Sequence, residues 1–166
     1  MSGPGRFGQS QASRREKNRM TRDNSPETVA ELDRLDKAVR AAPAGDTTAQ
    51  IALWRQTTAL EHWFFIARGS ADRPRPYAVA AEQGPMICLY SSAARANEAA
   101  RALGLLDSED GAAPLFGVPM PTAIDYVASF GQTGVVGVAL DHPRLGHHIP
   151  LTNLGLLKGW IEGVGR

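Results

Sequence analysis

One cysteine in 166 residues excludes a disulfide framework and a cysteine-built zinc site. No uninterrupted apolar run reaches the roughly 18 residues of a transmembrane helix. The 17 Gly and 11 Pro residues follow no period, so a collagen-like chain is excluded. Gly-x-Ser-x-Gly is missing. So is a Gly-rich phosphate loop, because Gly131, Gly134 and Gly137 precede or enter a predicted strand instead of opening a helix. No internal repeat is visible. What remains is a chain 43% hydrophobic and 21% charged, with a net charge of +1. That composition fits one soluble domain in a reducing compartment, and a body of this size can bury its own core.

The near-zero net charge hides a split. Residues 1–24 carry Arg6, Arg14, Arg15, Lys17, Arg19 and Arg22 against Glu16 and Asp23, a segment of +4, while residues 25–166 total −3. Only Phe7 and Met20 are large and apolar in the tail, too little to offset ordering entropy, so a disordered basic tail over 1–24 is expected. It is the candidate arm for nucleic acid or an anionic surface, set against a plain solvated leader with Met20 as an alternative start. Ser13-Arg14-Arg15 resembles the start of a twin-arginine signal, but polar Thr21-Arg22-Asp23-Asn24 follows where an apolar segment is required. A cytoplasmic location is therefore expected.

The body, 25–166, reads as one α+β domain. Ser25-Pro26 caps and opens a helix carrying Val29, Leu32, Leu35 and Val39 at helical spacing, ended by Pro43 and Gly45. Asp46 or Thr47 caps a second helix through about Leu60, with Ile51, Trp54, Thr58 and neighbouring Leu53 and Leu60 as its inner side, giving an N-terminal helical hairpin. His62 to Ala67 is aromatic and β-branched, hence a strand. Tyr77–Ala81 and Met86–Tyr90, around Gln83-Gly84, predict an antiparallel hairpin. Ser91 or Ser92 caps an Ala-rich helix with Ala93, Ala96, Ala100 and Leu103 inward. Leu115–Pro119, the segment from Pro121 to Phe130, Gly134–Leu140, a short strand at His148-Ile149 and a helix capped by Thr152 complete the chain. These elements predict a small mixed, largely antiparallel sheet of about five strands with helices packed on it.

The candidate chemistry is sparse. Cys88 followed by Arg95 resembles a cysteine-phosphatase cradle, but six residues intervene where five are needed, and none is Gly. A small buried hydrophobe fits Cys88 better. His142, His147 and His148 cluster beside Asp141, yet a Pro-containing loop separates the first two, and strand alternation sends His147 and His148 to opposite faces. No metal or cofactor and no catalytic residue are expected. Most content lies in Glu61-His62-Trp63-Phe64-Phe65. Alternation places Trp63 and Phe65 on one face, His62 and Phe64 on the other. Either helices cover both faces, or an aromatic patch is kept for a partner.

Leu53-Trp54, Leu60 through Arg68, Met86-Ile87, Tyr90-Ser91-Ser92, Pro119-Met120-Pro121 and Gly134 through Val138 together resemble the SseB N-terminal domain, the family named for enhanced serine sensitivity. The resemblance covers about residues 47–163, with a separate N-terminal helix at 25–45. It implies a bacterial α+β domain of unassigned biochemistry and transfers no catalytic residue. The expected function is a non-enzymatic cytoplasmic protein-interaction or regulatory module with an unidentified protein partner. Homo-oligomerisation is an open alternative. So is a small-molecule-binding protein or enzyme with a pocket near His62, Trp63 and the His142–His148 loop. His62, Trp63, Phe65, His142 and His148 are the binding candidates.

Overall fold

The computed structural model describes residues 23–70, 72–106, 111 and 113–163. The basic tail up to Arg22 and the acidic loop 107–110 lie outside them. Asn24, which composition assigns to the tail, is buried within the fold. Its side chain accepts from the backbone N–H of His62 and donates to the carbonyls of His62 and Ser91.

Helix α1 spans Pro26–Ala41, with the Ser25 side chain accepting from the Thr28 N–H. Helix α2 spans Thr48–Thr58, where the Asp46 carboxylate accepts from the Thr48 N–H. Strand β1 (His62–Arg68) follows directly. Arg75-Pro76, expected as loop, forms the short strand β2 along the end of β1. Strands β3 (Ala78–Ala81) and β4 (Gly84–Leu89) form the expected antiparallel hairpin. Helix α3 is Ala93–Ala102, capped by Ser92. Strand β5 (Leu115–Pro119) leads into α4 (Thr122–Ala128) and a 3₁₀ turn over Ser129–Thr133.

Two further segments depart from expectation. Strand β6 is only Gly137–Leu140, shorter than the predicted 134–140, because Gly134 sits at φ +97° and closes the 3₁₀ turn. After β7 (His147–Pro150), a 3₁₀ turn at Leu151–Asn153 precedes α5 (Leu154–Ile161), so Thr152 lies inside that turn and does not cap the helix.

The fold is α+β, but the strands form two sheets where one of about five strands was expected. Their orders are β2-β1-β5 and β3-β4-β6-β7. All pairs are antiparallel except β4 with β6. The sheets meet where Phe64 and Tyr90 exchange backbone hydrogen bonds of 3.0 and 2.8 Å.

Alternation then divides the core. Trp63 and Phe65 of β1, Ile87 and Leu89 of β4, and Val138 and Leu140 of β6 face α1, α2, α4 and α5. Phe64, Ile66, Cys88 and Tyr90 face the alanines of α3. Small side chains let α3 approach the sheet closely, and burial of each large aromatic contributes about 1.5–3 kcal/mol.

Candidate functional site

The parallel pair β4–β6 ends in register, Leu89 beside Leu140. The residues that follow those ends therefore arrive together. Ser91 leaves β4, and Asp141 leaves β6 with φ +48°, a left-handed conformation that favours Asp and Asn among non-glycine residues. The Asp141 carboxylate accepts from the Ser91 N–H at 2.8 Å, from the Ser91 hydroxyl at 2.6 Å and from Arg95 Nη1 at 2.8 Å. Asp141 is 1% exposed and Arg95 8%.

Arg95 is aimed inward by the cap that starts α3: Ser92 Oγ accepts from its backbone N–H. Its Nη2 donates to Asp33 of α1 at 2.6 Å. Burial alone would lower the basicity of Arg95, but the hydrogen bonds to Asp141 and Asp33 outweigh it and raise its pKa, so the guanidinium stays charged. The paired charges and hydroxyl satisfy one another, as buried ions require.

Arg144 stands over this centre. Its guanidinium nitrogens lie 3.5 Å from Glu98 and 3.6 Å from Asp33. Beneath it, Arg95, Glu98, Ala99, Ala102, Asp141, Pro143 and Arg144 line a cavity of about 230 Å³. In sequence, Arg95 is half of a phosphatase-like pattern with the wrong spacing, and Asp141 stands out only beside its neighbouring histidines. Their 46-residue separation leaves no local pattern linking them. The one available signal was an Asp directly after an apolar central strand, a position that often ends at a crevice.

The residues singled out from sequence separate in space. Trp63 and Phe65 are fully buried among core side chains, the core alternative of the two readings of this strand. Trp63 Nε1 is satisfied within the core by the Thr57 carbonyl at 3.0 Å. His62 is half-buried at the start of β1, opposite Pro119, and its Nδ1 has no hydrogen-bond partner among the described residues. His142 precedes a cis peptide bond to Pro143. His148 is exposed on β7, while His147 turns inward to Asp36 of α1, with Nε2 at 2.7 Å from Oδ1. None of His62, His142 and His148 lines the cavity at Arg95. No group of three metal-ligating side chains gathers among the described residues. Cys88 is fully buried, and burial pushes its thiol up to about 11.

A second feature lies between α2 and α5. Ile51, expected on the inner side of α2, is 44% exposed; Leu53 and Trp54 face the core as expected, and Thr57 is buried where Thr58 was expected. Leu156 of α5 is 54% exposed, and these two are the exposed large hydrophobic residues among those described. Both line one groove of about 250 Å³, with Trp54 and Trp160 among its walls. The Arg55 guanidinium lies 5.0 Å from the Trp160 ring, a cation–π contact. Among the described residues, no helix is long and apolar enough to cross a membrane. Comparison with protein-family models, with curated proteins and with solved structures gives no match.

Proposed function

We propose that this protein is a non-enzymatic, cytoplasmic protein-interaction or regulatory module, that residues 47–163 form an SseB-like domain, and that its docking face is the groove between α2 and α5. The observation that carries this reading is the convergence of Ile51 and Leu156 on one groove. Scattered single apolar residues are ordinary on a surface; two sharing a groove with two tryptophans form an anchor site.

Charge beside the groove favours an acidic occupant. The ionisable residues within α2 and α5 are Arg55 and Lys158, both basic; neither lines the groove, but Arg55 borders it through its contact with the Trp160 ring. Lys158 reaches Asp125 at 3.2 Å, whereas Arg55 has no carboxylate partner among the described residues. The fitting partner is an amphipathic segment with apolar anchors flanked by Asp or Glu, the helix-in-groove mode of recognition.

Selection of random peptides against the full chain tests this. Enriched peptides carry apolar residues at helical spacing next to acidic ones, and Arg55→Glu weakens their binding. Enrichment of basic peptides, or peptides indifferent to Arg55→Glu, contradicts the reading. A concentration-dependent dimer in sedimentation, abolished by Leu156→Asp, assigns the groove to a second copy of this chain instead.

A further inference from the structure

We infer that the cavity beneath Arg144 is a binding site for a small aliphatic carboxylate, and that Asp33 competes with that ligand for the two guanidinium groups. The site lies beyond the carboxyl ends of β4 and β6, the one parallel pair among the described strands, and such ends leave a crevice where ligands bind in parallel sheets.

The floor is charged and fixed. Arg95 is held by Asp141 on Nη1 and by Asp33 on Nη2, and its Nε–H makes no hydrogen bond among the described residues. The walls are apolar and short: Ala99, Ala102 and Pro143. Arg144, 49% exposed, lines the cavity and, among the described residues, is tied only by two long ion pairs. Ion pairs at that exposure contribute little and are readily exchanged. A ligand carboxylate therefore meets the guanidinium groups of Arg95 and Arg144, which line the cavity together, with a hydrocarbon body of two or three carbons against the alanines. A carboxylate is the matching head group because planar guanidinium donors pair with it side by side.

Asp33 already demonstrates the fit. Its Oδ2 lies 2.6 Å from Arg95 Nη2 and 3.6 Å from Arg144 Nη2, one carboxylate oxygen shared by both guanidinium groups. Because Asp33 is partly exposed, it can yield this place to a ligand and be hydrated instead. Asp141 is buried and stays on Arg95, so the carboxylates a ligand displaces are the partly exposed Asp33 and the exposed Glu98.

The test is methyl NMR of the full chain titrated with sodium propionate, against sodium chloride and propan-1-ol as matched controls. Saturable shifts of the Ala99 and Ala102 methyls with propionate and not with propan-1-ol are expected. Asp33→Asn tightens binding by about three- to fivefold, the effect of removing one partly exposed competing ion pair. Arg144→Gln weakens it by about tenfold. Leu89 and Val138 methyls, in the opposite core layer, stay unshifted and report intact folding of each variant. Equal shifts with propan-1-ol, no saturation in the wild type and Asp33→Asn alike, or propionate binding unchanged in folded Arg144→Gln would each overturn the inference.

Discussion

Arg95 and Asp141, 46 residues apart in sequence, form a 2.8 Å ion pair at the point where β4 and β6 end. Each is almost fully buried, so neither can be left alone without cost. Asp141→Ala removes the acceptor of three hydrogen bonds and leaves a buried guanidinium with only Asp33. A loss of about 3–5 kcal/mol is expected. Asp141→Asn costs less, because Asn tolerates the left-handed backbone and keeps a side-chain acceptor. Urea denaturation of the two variants measures this order; equal losses would place the cost in the backbone rather than in the charge.

The contact between His147 and Asp36 ties β7 to α1 and gives stability an acid dependence. Burial raises the Asp36 carboxyl, but hydrogen bonds with His147 and Arg40 outweigh it and hold the group below its ordinary value of 3.8. A folded pKa below the unfolded one means the stabilisation is fully present above the unfolded value and is lost as pH falls through the folded value. Asp36→Asn therefore lowers stability by about 1 kcal/mol at pH 5–6 and flattens the acid limb of the stability curve below pH 4. Denaturation midpoints from pH 2 to 6 check both; an unchanged acid limb contradicts the assignment.

Two glycines differ in sign. A Cβ on Gly137 would lie 2.7 Å from the Ile149 carbonyl oxygen, a backbone atom with nowhere to move. Gly155, within α5, has nothing within 4 Å of its Cβ position. Gly137→Ala is expected to destabilise by about 1–3 kcal/mol, and Gly155→Ala to stabilise by about 0.5–1 kcal/mol. Thermal unfolding of the pair gives shifts of opposite direction.

Cys88 is expected to be inert in the native state. Its thiol is buried and pushed up to about 11, so little nucleophilic thiolate exists at neutral pH. Native protein reacts with an aromatic disulfide reagent only as fast as it opens, and at once in urea. Rapid stoichiometric labelling under native conditions would contradict the buried placement.

Local chemistry made much of the fold legible. Ser25-Pro26 and Ser92 cap the helices they were expected to cap, and the alternation from Trp63 to Phe65 places each ring on its predicted face. Long-range pairing was not legible. Nothing near Ser91 or Asp141 announces that β4 and β6 run parallel, so the Arg95 centre was missed. Ile51 was misplaced because helical spacing gives a stripe but not its rotation. The observed rotation buries Trp54 and Thr57, whose hydroxyl donates to the Leu53 carbonyl, and turns Ile51 outward.

Binding of a selected acidic amphipathic peptide to the wild type and to Leu156→Asp, by titration calorimetry, tests the docking face most directly. Leu156 is more than half exposed, so its replacement leaves the fold intact while placing a carboxylate among the anchors. At least a tenfold loss of affinity, about 1.4 kcal/mol, is predicted. Equal affinity for the two proteins would contradict the groove between α2 and α5 as the site of interaction.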